Sequence, residues 1–142
     1  MRTNGLIGAA LTLALGLTSA SAQAQVVVIV STKNPISKLT PGQVSQIFLG
    51  QTKTFFTGGQ CEPVDLAEGA AARNDFYQKV TGKNPAQLKA YWSKLSFSGT
   101  AQPPKTMASD AEVVKLVAAN PKWVGYVEKA AVDASVKVVL AP

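Results

Sequence analysis

The stretch Pro63–Val80, PVDLAEGAAARNDFYQKV, sets the architecture of the chain. Pro63-Val64-Asp65-Leu66 reads as a short strand and Ala67-Glu68-Gly69 as a turn. Ala70 onward reads as a helix with Phe76, Tyr77 and Val80 on one side. Where small residues carry a strand into a helix, free backbone N–H groups and the positive end of the helix dipole converge, a common way to hold an anion. The candidate donors are the amides of Gly69, Ala70 and Ala71, with Arg73 as counter-charge. A plain strand-to-helix joint with no ligand fits the same pattern, and Arg73 then forms a surface salt bridge to Asp65 or Asp75.

Upstream, Gln25–Ser31, QVVVIVS, is a continuous β-branched run, the mark of a strand buried on both faces. Thr32-Lys33-Asn34-Pro35 turns the chain out of the sheet. Open α/β sheets place ligands at the C-terminal ends of their strands, so Ser31, Thr32 and Lys33 join the candidate site; a polar loop is the plainer reading. Three helix starts share one grammar. Thr40-Pro41-Gly42-Gln43 and Asn84-Pro85-Ala86-Gln87 each offer a cap, a first-turn proline and a glutamine, and Ser109-Asp110-Ala111-Glu112 is a capping box without the proline. Their apolar faces are Val44, Ile47 and Phe48; Leu88, Tyr91, Trp92 and Leu95; and Val113, Val114, Leu116 and Val117. The first should stop near Gly50, and the last before Asn120-Pro121. Gln51–Gln60 reads as a loop with a tight turn at Gly58-Gly59, its Phe55 and Phe56 folding back onto the domain edge. Phe97–Lys105 reads as a second loop, stiffened by Pro103-Pro104. Trp123–Val127, WVGYV, predicts a strand whose glycine lets something pack close, and Val136–Leu140 predicts the last strand. Strands alternating with helices imply a mostly parallel or mixed sheet flanked by helices.

Residues 1–24 read as a secretory signal peptide: Arg2, an apolar run over Leu6–Leu17, then Ala20-Ser21-Ala22 and Ala22-Gln23-Ala24 as cleavage signals. No cysteine follows them, so the expected product is periplasmic or secreted, without a lipid anchor, and spans residues 25–142 as one domain. The net charge of +6 favours acidic partners, but the lysines are spread out and no basic run is interleaved with aromatics, which argues against nucleic acid. The lone Cys61 excludes an internal disulfide and reads as a buried free thiol or one paired with a second chain. Histidine is absent, which removes the commonest general base and metal ligand, and the eight acidic residues are scattered. The expectation is a protein with no catalytic residues, no metal and no cofactor.

Several short signatures follow one another in order: Leu39-Thr40, Gln46-Ile47-Phe48-Leu49-Gly50, Gly58-Gly59, Pro63-Val64, then Arg73 with Phe76. They continue with Tyr91-Trp92, Phe97-Ser98-Gly99, Pro103-Pro104, and Val124-Gly125-Tyr126-Val127 after Asn120-Pro121. Together they resemble the phosphate-type periplasmic substrate-binding proteins of ABC transporters. The resemblance implies an α/β fold, a single lobe of the type II periplasmic-binding-protein-like kind. It also implies phosphate or another small oxyanion as ligand and an ABC transporter permease or envelope protein as partner. Full-length members of that family clamp the anion between two lobes, whereas this chain has the length of one and its features match the second. The family's anion loop offers Ser and Thr hydroxyls where this chain reads Glu68-Gly69-Ala70-Ala71-Ala72-Arg73. Losing two or three charge-assisted hydrogen bonds at roughly 1.5–3 kcal/mol each removes most of a micromolar affinity of about 8 kcal/mol. The expectation is weak oxyanion binding, with a homodimer able to supply the missing lobe. The alternative is an envelope interaction module whose Phe55, Phe56 and Trp123 form an exposed apolar surface and whose anion site is empty.

Overall fold

The β-branched run near the start becomes β1 (Val26–Ser31), buried at every position. This and the following geometry come from a computed structural model that describes residues 25–142; the signal-peptide reading of residues 1–24 lies outside the described residues. β1 joins β2 (Glu62–Leu66), β3 (Lys105–Met107), β4 (Trp123–Glu128) and β5 (Val136–Leu140) in one five-stranded sheet, ordered β3-β2-β4-β1-β5. β2 runs parallel to β3 and β4, while β1 runs antiparallel to β4 and β5, so the sheet is mixed. Val30 of β1 pairs with Val124 of β4, which pairs in turn with Pro63 of β2. The C-terminal end of β1 therefore lies level with the beginning of β2.

The helices start where their caps predict. α1 (Pro41–Phe48) and α3 (Pro85–Phe97) carry complete capping boxes: Thr40 and Asn84 side chains accept from the N–H groups of Gln43 and Gln87, whose side chains accept from the cap amides in return. At α4 (Asp110–Ala119) the box is half made. Ser109 Oγ accepts from Glu112 N–H at 3.3 Å, but the Glu112 carboxylate accepts from Ala108 N–H, one residue upstream of the cap. α2 (Ala71–Thr81) begins with no side-chain cap at all.

The glycine in β4 marks the closest approach in the core. A Cβ on Gly125 would sit 2.7 Å from Val113 Cγ1 of α4 and 3.0 Å from Val64 Cγ1 of β2. α4 presses on the sheet there, and only hydrogen leaves room for it. On another side of the core Phe48 of α1, Phe76 and Tyr77 of α2 and Tyr126 of β4 form one aromatic cluster; Phe76 stacks on Tyr126 with ring centroids 4.0 Å apart. Ring pairs of this kind add about 0.5–1.5 kcal/mol beyond the area they bury.

Three expectations fail locally. The stretch expected to be a loop through Lys105 instead ends in β3, because main-chain pairing with β2 can recruit an edge strand of three residues that has no hydrophobic pattern of its own. Phe97, expected at the start of that loop, is the last residue of α3 and is 97% exposed. Phe55 packs into the core as expected, but Phe56 is 65% exposed: consecutive side chains in an extended turn point to opposite sides, and only one can reach the domain.

Candidate functional site

A carboxylate on a buried strand must find partners, since an isolated buried charge costs far more than a fold can absorb. Asp65 is 2% exposed. It accepts hydrogen bonds from its neighbour Leu66 N–H at 2.8 Å, from the Tyr77 hydroxyl at 2.6 Å and from the Tyr126 hydroxyl. Arg73 Nε stands 3.5 Å from Asp65 Oδ1 as an ion pair, without the geometry of a hydrogen bond to it or to any other group among the described residues. β2 supplies Asp65, β4 supplies Tyr126, and the first two turns of α2 supply Arg73 and Tyr77, so the helix is pinned to the sheet by charge as well as by its aromatic face. Burial pushes both phenols well above the ordinary tyrosine range, and the negative charge of Asp65 pushes them further. Both hydroxyls therefore stay protonated and donating through the physiological range.

Arg73 also lies across the Tyr77 ring, 5.3 Å from its centroid, and its side chain is only 14% exposed. The rest of the residue faces a cleft of about 360 Å3 lined also by Glu68, Lys89, Ser93, Ser96 and Thr106. Of the two readings of Arg73, the ion pair with Asp65 is made, although it is buried and not a surface pair. The turn before α2 uses a left-handed glycine, Gly69 at φ +92°, to bring the chain onto the helix axis. Ala70 N–H is consumed inside that turn by Ala67 O at 3.2 Å, which removes one of the three candidate amides. The helical ladder begins with Asn74 N–H to Ala70 O, so the amides of Ala71, Ala72 and Arg73 stay outside it. Gly69, Ala71 and Arg73 are thus together at one end of the sheet.

Ser31 and Thr32 are not with them. Because β1 is antiparallel to β4 and β4 is parallel to β2, the C-terminal end of β1 is at the opposite end of the sheet from the Gly69 turn. Ser31 Oγ accepts from Lys33 N–H at 3.2 Å within its own turn, and Thr32 Oγ1 donates to Ser135 O at 3.3 Å, tying that turn to the segment before β5. The sequence reading missed the tyrosine pair on Asp65 and the cleft residues of α3. A signal for each was present. An acid inside an apolar strand asks for donors, and Lys89, Ser93 and Ser96 recur at i, i+4 and i+7, one face of a helix. Among the described residues there is no cluster of acidic or cysteine side chains able to hold a metal.

The fold defined by this sheet and its helices is that of phosphate-type substrate-binding proteins. A phosphate ABC transporter substrate-binding protein from Clostridium perfringens, solved with bound phosphate, superposes with a TM-score of 0.65 at 20% identity, over 81% of this chain and 44% of that one. An ABC-type phosphate transport receptor from Vibrio cholerae gives 0.56 at 20% identity, over 81% and 45%. PstS from Borrelia burgdorferi gives 0.58 at 13%, over 81% and 46%. The chain spans less than half the length of the structures it matches, one lobe's worth of the fold. No family model matches the sequence, and no curated protein matches it.

Proposed function

We propose that this chain is an exported solute-binding protein of the single-lobe kind that takes phosphate or another small oxyanion weakly at the start of α2. The observation that carries the reading is Arg73, held by Asp65 on its Nε side and facing the cleft of Lys89, Ser93, Ser96 and Thr106 on the other. The amides of Gly69 and Ala71 and the N-terminal end of α2 add donors at the same place. The hydroxyls lacking from the turn are offered instead by α3 and β3. Affinity is held down by charge. Glu68 offsets one of the two lining cations, and Asp65, buried behind the cleft, offsets Arg73, which leaves little net positive charge toward a dianion.

The fold likeness supports a place in ABC-type phosphate uptake, with the periplasm as the compartment and a transporter permease, or a second copy completing the cleft, as partner. No helix among the described residues is long and apolar enough to cross a membrane. The function is a binding one without catalysis. Calorimetric titration with phosphate, with sulfate as the comparison anion, tests it. Saturable heat with a Kd tighter than about 1 mM, equivalent to about 4 kcal/mol, and weakened by Lys89→Gln supports the reading. No heat at millimolar phosphate overturns it.

A second reading, an envelope interaction module, is favoured by one observation: Phe97 and Phe56 stand 97% and 65% exposed. Phe55 and Trp123, the other aromatics of that expectation, are buried and half-buried. Sedimentation of the wild type against Phe97→Ser separates this reading from the first, since only a surface used for assembly changes mass when Phe97 is polar.

A further inference from the structure

A second cavity exceeds the Arg73 cleft in volume. It is a groove of about 560 Å3 at the other end of β2 and β3, beneath the loop that leaves α3. Ile47, Pro63, Pro103 and the two tryptophans, Trp92 and Trp123, give it an apolar part, beside polar Thr52, Gln60, Thr100 and Gln102. Trp92 is fixed from behind, because its ring edge lies 3.1 Å from where a Gly50 Cβ would be. The Pro103-Pro104 pair has its φ angles locked, so the rim resists collapse onto the void. The volume is in the range of small-molecule sites, roughly 300–1,000 Å3.

The charges at the groove are unequal. Glu62 is satisfied already, by Lys122 at 3.7 Å and by Gln60 Nε2 at 3.0 Å. Lys53 and Lys105 also line the groove, and among the described residues neither has a carboxylate within ion-pair distance. Lys105 Nζ instead lies 6.0 Å from the centroid of the Trp123 ring. A void with an apolar, aromatic part and two uncompensated ammonium groups asks for a ligand with an apolar body and a negative head.

We propose that this groove is a second binding site, for a small organic carboxylate with an aromatic or branched apolar body, whose head is held by Lys53 and Lys105 and whose body lies against Trp92 and Trp123. Trp123 lines the groove alone and Trp92 lines both the groove and the Arg73 cleft, so tryptophan emission reports groove occupancy where it responds to the Lys53 and Lys105 variants. The experiment titrates the protein with phenylacetate and, in parallel, with the neutral phenylacetamide. Phenylacetate is expected to change tryptophan emission saturably, and phenylacetamide to bind about tenfold more weakly, the loss of one charge-assisted contact. Lys53→Gln and Lys105→Gln are each expected to weaken phenylacetate severalfold. Both are exposed and remain foldable. No saturable change with phenylacetate, equal response to the neutral amide, or full binding by the Lys53→Gln, Lys105→Gln double variant would each overturn the proposal. A response only to acidic peptides, and none to phenylacetate, overturns it in favour of a peptide groove. The groove and the Arg73 cleft share Trp92 and Pro103. Lys53 and Lys105 line only the groove and Lys89 only the cleft, so Lys89→Gln against the two groove variants separates the phenylacetate reading from the phosphate one.

Discussion

The two ends of β2 treat charge in opposite ways. At the C-terminal end Asp65 is buried and answered by two tyrosine hydroxyls, a backbone amide and Arg73. At the N-terminal end Lys53 and Lys105 sit exposed on the rim of a groove and, among the described residues, have no carboxylate within ion-pair distance. A buried charge stripped of one partner costs several kcal/mol, whereas an exposed one costs little and stays free to act. The first end therefore uses its charges chiefly to hold α2 on the sheet, with the remainder of Arg73 left for a ligand. The second end spends nothing on the fold.

If that contrast is right, Asp65→Ala is the most damaging change of all. It leaves Arg73 and two buried hydroxyls without their acceptor, and should lower the unfolding free energy in urea by about 3–5 kcal/mol. A loss below about 1 kcal/mol would mean that water replaces the carboxylate and that the network is not a clamp.

High pH attacks the same end next. An unfolded tyrosine ionises near 10, whereas Tyr77 and Tyr126 in the fold keep their protons well above that. The stability they contribute is complete below pH 10 and is lost as pH climbs past it, by about 1.4 kcal/mol per pH unit for each phenol. Denaturation midpoints from pH 9 to 11 should fall in that manner. Tyr126→Phe should take one proton out of the slope.

Gly125→Ala probes a site where neither charge nor ligand matters. Its methyl would collide with Val113, and overpacking of this kind should cost about 1–3 kcal/mol in a thermal or urea melt. At the groove, Lys53→Gln and Lys105→Gln should leave stability within about 0.5 kcal/mol of the wild type. A larger loss would make the lysines structural and erase the difference between the two ends. Cys61 lines that groove yet is 2% exposed, and burial, aided by Glu62, pushes its thiol up to about 12. It should react with a thiol-directed disulfide reagent only after unfolding. Rapid reaction in the native protein would show the groove floor opening.

Much of this molecule was legible along the chain. The β-branched run became β1, the caps at Thr40 and Asn84 became the starts of α1 and α3, and the glycine of WVGYV sits where α4 presses closest. These features are local: a hydrophobic period, a capping side chain and a missing Cβ act on residues a few positions away. The strand-turn-helix joint was local too, and Gly69, Ala71 and Arg73 stand together because they are neighbours in sequence.

What required the tertiary structure was direction and partnership. Ser31 and Thr32 looked like site residues until the antiparallel pairing of β1 with β4 carried them to the far end of the sheet. β3 exists because β2 offers it an edge, not because Lys105-Thr106-Met107 has a strand pattern. Asp65 finds Tyr126 across sixty-one positions of sequence, and Trp92 and Trp123 line one groove whose lysines come from a loop and from the start of β3. By itself the sequence determined the helices, every strand but β3, and which joint could face an anion. Only the folded chain decided which charges are paired and which are left free, because strand order and charge compensation depend on neighbours that no local pattern can bring together.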